Sequence, residues 1–163
     1  MLFRCLILLV SIFMSACSIA KEQPIEHHQQ SKQLLSMPED IKLLLIREML
    51  AVEEGMQALL SSIAKGQWHT SAEIAKKIQS SYILKQSLTA EQKTHLHHSL
   101  PEQFIKLDHS FHEYAGMLAH AAEAKNSDVV NFYFYKMTDS CVQCHSRYAR
   151  EKFPGFSAAT VKH

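Results

Sequence analysis

Residues 127–152 read SDVVNFYFYKMTDSCVQCHSRYAREK, and this stretch decides the fold. Val130, Phe134, Met137, Cys141, Cys144 and Tyr148 recur at alternating spacings of four and three, which sets them on one apolar stripe of a helix. Ser127 stands where a helix cap is expected, and Phe153-Pro154-Gly155-Phe156 supplies a stop, so the spacing predicts a helix from 127 to about 152. Both cysteines then point into a core rather than lying in a surface loop.

The same pattern repeats toward the N-terminus. Pro101 opens a helix with the stripe Phe104, Leu107, Phe111, Tyr114, Leu118 and Ala121, ending near Lys125-Asn126. Earlier, Pro38-Glu39-Asp40 begins a helix in which Pro suits the first turn and the two acids complement the positive end of the helix dipole. Its stripe is Leu45, Met49, Val52, Met56, Leu59 and Ile63, and Lys65-Gly66-Gln67 ends it with a C-terminal glycine. Between these two helices, Thr70 or Ser71 followed by Glu73 predicts the cap of another helix, burying Ile74, Ile78 and Tyr82. Residues 86–100 form a connection with a short helix beginning at Thr89. His95, His97 and His98 crowd there without cysteine or carboxylate company and are read as solvated. The whole chain has four glycines and shows no alternating strand pattern, so the fold class is all-α. Four long amphipathic helices with short or moderate connections pack most economically as an antiparallel, up-and-down four-helix bundle spanning 38–156.

The ends of the chain read differently. Residues 1–20 carry Arg4, no acid, and an apolar run from Cys5 to Met14 that is too short to span a bilayer, which is the pattern of a signal peptide. Ser18-Ile19-Ala20 would suit an ordinary signal peptidase. Met14-Ser15-Ala16-Cys17 resembles a bacterial lipobox, with Met14 in place of the usual leucine, and is the preferred reading: Cys17 becomes a lipidated mature N-terminus that anchors the protein to a membrane. Residues 21–37 form a polar tether and 157–163 a C-terminal tail. Of 17 basic and 16 acidic residues, the signal removes Arg4 alone, leaving a balanced chain with no basic stripe for nucleic acid.

Of the four cysteines, Cys5 and Cys17 belong to the signal, so Cys141 and Cys144 alone lie in the folded domain. A disulfide between them would close too small a loop to add much stability, which points to chemistry instead. A c-type haem needs two cysteines for thioether bonds to its vinyl groups and a histidine directly after the second to ligate the iron. Cys141-Val142-Gln143-Cys144-His145 satisfies spacing, order and adjacency, and export agrees with the compartment in which such attachment occurs in bacteria. A thiol redox pair would instead sit at a helix N-terminus that lowers its pKa, and a zinc site would need further ligands. One covalently attached haem c is therefore expected.

A helical bundle with C-x-x-C-H late on its last helix resembles the class II c-type cytochromes, the cytochrome c′ group and its low-spin relatives. The likeness covers residues 38–156; Leu100-Pro101, Phe104, Leu107-Asp108 and Phe111-His112 are also similar to the third helix of that group. The resemblance implies that His145 is the proximal iron ligand and that the distal residue comes from the first helix. With the first and last helices antiparallel, the partner of His145 falls within the first few turns, where Met49 lies; Met56 is the second choice, about 10 Å further along the axis. High-spin members carry an arginine four residues before the distal position. Here that place is Leu45, and Arg47 is out of register, leaving Arg147 and Arg150 as alternatives for a haem propionate. Phe111 and Tyr114 are expected to pack on the porphyrin, His112 to take a surface or hydrogen-bonding role and to be a lesser distal candidate, and Met117 and Met137 to fill the core. The implied function is periplasmic electron transfer with redox partner proteins, without enzymatic turnover, and dimers are frequent in the group. The alternative is a five-coordinate haem protein that binds nitric oxide or carbon monoxide.

Overall fold

The computed structural model describes residues 38–84 and 88–156; the expected signal peptide with Cys17, the 21–37 tether and the 157–163 tail lie outside the described residues. The fold is all-α. The helices are α1 (Glu39–Ala64), α2 (Trp68–Gln79), α3 (Ala90–Ser99), α4 (Glu102–Glu123) and α5 (Ser127–Tyr148), followed by a 3₁₀ turn at Pro154–Phe156. Helix α1 packs on α2, α2 on α4, and α4 on α5. Among the described residues, no helix is long and apolar enough to cross a membrane.

Helix boundaries follow local chemistry, with four corrections to the expectations above. Helix α2 starts at Trp68, so Thr70 and Ser71 lie inside its first turn instead of capping it. The Ser71 hydroxyl is used between helices: it meets the Ser62 hydroxyl of α1 at 2.8 Å. Helix α2 stops at Gln79, and Ser81 turns the chain away at φ 60°, so Tyr82 lies beyond the helix even though it packs on the core. The cap of α5 is Asn126, whose side chain accepts from the Val129 amide at 3.1 Å; Ser127 is already helical. That helix ends at Tyr148, short of 152, because the Ala149 carbonyl accepts from the amides of Lys152 and Phe153 and closes a tight turn. The start of α3 is as expected. Gln92 donates its amide to the Thr89 hydroxyl at 3.2 Å, while the Thr89 amide donates to the Gln92 side chain at 3.0 Å.

Two apolar clusters run through the molecule. The main one joins Val52 and Leu59 of α1, Ala75 and Ile78 of α2, Leu118 of α4 and Met137 of α5. Alanines at 72, 75, 115, 119 and 122 let α2 and α4 approach closely, and a Cβ on Gly116 would strike the Gln79 side chain. The second cluster lies at the other end of α1. There Ile41 and Leu88 are buried, with Leu44, Leu45, Leu100, Phe104 and Tyr148 packed around them.

The phase of α1 differs from the sequence expectation. Its buried line is Ile41, Glu48, Val52, Gly55, Leu59 and Ser62; Met56 and Ile63 are partly buried, while Met49 is 36% exposed rather than innermost. The cause is Glu48. Its carboxylate is only 1% exposed and accepts from the Ser81 hydroxyl at 2.8 Å and from the amides of Tyr82, Ile83 and Leu84 at 2.9, 2.6 and 3.1 Å. Four donors repay its desolvation, which an isolated buried carboxylate could not recover. Gly55, one face further along, leaves the space occupied by the Tyr82 hydroxyl.

Candidate functional site

The last two turns of α5 carry Cys141, Cys144, His145 and Tyr148, all partly buried. Cys141 packs against the main cluster and Tyr148 against the second, so the motif lies where the two clusters meet. Both thiols are free. Burial pushes the Cys141 thiol up; it pushes Cys144 up to about 12, with Asp108 and Cys141 adding to the effect and Arg147 opposing it. Neutral thiols of this kind are poor nucleophiles for disulfide exchange, where a lowered pKa is needed.

His145 occupies the edge of α5. Its ring stacks on Phe153 with centroids 4.4 Å apart and planes inclined by 23°. Burial, helped by the positive charge of Lys152, holds the imidazole below its ordinary value, and Glu53 of α1 pulls the other way. The neutral imidazole is the form that can ligate a metal. Glu53 sits between Met49 and Met56 on α1.

His112 is buried in α4, its Nδ1 2.6 Å from the Ile78 carbonyl oxygen and its Nε2 3.5 Å from the Asp108 carboxylate. Nδ1 fastens α4 to the end of α2, while Nε2 faces Asp108 one turn earlier on α4 itself, so the ring takes a buried hydrogen-bonding role and not a surface one. Phe111 belongs to the buried core and Tyr114 packs at its margin beside Tyr133, while Met137 is fully buried as a core filler and Met117 is 42% exposed on α4. His95, His97 and His98 are exposed on α3. Among the described residues, no group of three or more histidine, cysteine or acidic side chains gathers as a metal cage.

Two residues went unnoticed as players in the sequence. One is Glu48, whose charge hides its inward position. The other is the hydroxyl of Tyr148, which is buried and the one such side-chain atom among the described residues without a hydrogen-bond partner. Its ring lies edge-on to Phe104, with centroids 5.2 Å apart. The donor set fits a covalently held haem: two neutral thiols one turn apart, an adjacent imidazole, an apolar surround, and a phenol donor awaiting an acceptor. Known protein families, curated proteins and solved structures were compared with the chain, and none matches it.

Proposed function

We propose that the protein is a monohaem c-type cytochrome of the class II kind, an up-and-down four-helix bundle that passes single electrons between partner proteins in a bacterial periplasm. The observation that carries this reading is the position of Cys141-x-x-Cys144-His145 on the inner side of the last long helix, at the junction of two apolar clusters. Haem supplies the redox chemistry when bound. The chain's own residues do the rest: Cys141 and Cys144 hold the cofactor, His145 offers a neutral imidazole with Phe153 against its ring, and the clusters keep water from the site.

Met49 is the proposed sixth ligand. It rests on the class II resemblance, in which the distal ligand comes from the first helix, and Glu53, one turn further along that helix, acts electrostatically on His145. Met56 lies on the same helix but is packed into the main cluster, which makes it the second choice. Cys17 would tether the protein to the membrane, and a homodimer is part of the same proposal.

A second reading, a five-coordinate haem protein for nitric oxide or carbon monoxide, draws on the apolar side chains Ile41, Leu44 and Leu45, which would line an empty distal side. Absorption spectra of full-length protein matured in a periplasm separate the two. Electron transfer with Met49 predicts a low-spin spectrum with a thioether-to-iron band in the oxidised state, lost in Met49→Ala. A high-spin ferric spectrum supports gas binding instead. Haem that acidic acetone extracts, or no haem at all, overturns both.

A further inference from the structure

We infer that the Tyr148 hydroxyl, with the Arg147 charge beside it, holds a propionate carboxylate of the haem; this rests on the haem reading above. Tyr148 follows Cys144 by four residues, one turn or about 6 Å along the same face of α5, so an attached porphyrin would extend past it. Its hydroxyl is buried and unpaired, with Leu44, Leu45, Leu100 and Phe104 in the surrounding cluster. A buried phenol left without an acceptor is a cost that native structures seldom carry. A haem offers two polar substituents, its propionates, and no other hydrogen-bond acceptor at its edge. Tyr148 shares a helix with His145, while the sixth ligand is assigned to α1, so the hydroxyl serves the porphyrin edge and not the distal ligand.

Charge points the same way. Arg147 precedes Tyr148 in the chain and follows Cys144 by three residues on α5, and its charge acts on both. Burial raises the Tyr148 pKa, keeping the phenol protonated as a donor.

The test uses haem-loaded, full-length protein carrying Tyr148→Phe, which keeps the ring against Phe104 and both thioether bonds. The propionate deformation band in resonance Raman should shift. The acid-side inflection of reduction potential against pH should move upward by about one pH unit, because the lost donor favoured the charged carboxylate. Arg147→Gln should move the inflection in the same direction. In the unsubstituted protein, the propionate band should also shift on exchange into D2O, a measurement that needs no variant. A band and an inflection unmoved by Tyr148→Phe, or a band insensitive to D2O, overturn the assignment while leaving the haem reading intact. A chain without covalent haem overturns both.

Discussion

The two apolar clusters are built from different material. The main cluster is rich in alanine and includes Leu59, Ile78, Leu118, Val130 and Met137, each with no exposure at all. Its helices meet at short range, and the polar groups at its margin are paired, as Ser62 is with Ser71 and His112 with the Ile78 carbonyl. In the second cluster Ile41 and Leu88 alone are buried, the remaining leucines and aromatics are partly open, and the unpaired Tyr148 hydroxyl sits among them. One end of the molecule is finished by its own side chains. The other has apolar surface and a donor to spare, and the C-x-x-C-H motif stands on the boundary.

Stability measurements can break or sharpen this contrast. The largest effect is expected for Leu118→Ala, which empties a fully buried site of the tight cluster; a loss of about 4 kcal/mol should appear as a lower denaturant midpoint. Glu48→Ala should cost about 3 kcal/mol, since it strands the amides of residues 82–84 in a buried setting. Hydrogen exchange at those three amides should accelerate with it; amides that stay protected would show that the carboxylate does not hold the segment. Leu100→Ala, at a half-buried position of the second cluster, should cost only about 1 kcal/mol. A loss matching that of Leu118→Ala would erase the distinction between the two ends.

The smallest effect concerns the surface link between α2 and α4, where Lys76 lies 2.7 Å from Glu123. The Lys76 ammonium holds the Glu123 carboxyl below its ordinary 4.5. The lowered pKa contributes stability that is present above that value and lost as pH falls through the folded-state value. Glu123→Gln should therefore flatten the acid limb of the stability curve slightly and leave the neutral region almost unchanged, since both groups are exposed and solvent-screened. A neutral-pH midpoint that drops with the substitution would give the pair a larger part in joining the two helices.

Spacing alone made the helices legible, because every long one has an apolar stripe and a recognisable stop. Thr89 with Gln92 shows how a cap is readable: both partners are local, three residues apart. Asn126 and Ser127 show the limit, as two adjacent residues of capping type compete and backbone geometry selects the first. The phase of α1 was not legible for a different reason. Its inner line includes Glu48, and the donors that make a buried carboxylate tolerable come from residues 81–84, more than thirty positions away. A stripe drawn through apolar residues therefore centres on Met49, one position too far around the helix. The C-x-x-C-H motif stands out in the sequence because its five positions are consecutive, and the structure sets it late on α5 as the apolar spacing predicts. The Tyr148 hydroxyl does not stand out, since a tyrosine on an inner stripe looks the same whether or not its oxygen finds a partner.

The turn after α5 gives His145 a door of its own. Phe153 lies flat against the imidazole, yet the backbone hydrogen bonds that carry it run from Lys152 and Phe153 to Ala149 and from Phe156 to Phe153, and the Arg150 side chain bonds back to the Ser146 carbonyl. All of these ties are local to one short stretch. Such a unit can swing aside at a free-energy cost far below that of global unfolding, leaving both clusters in place. His145 can thus be uncovered and covered again while the helices that carry both clusters stay in place.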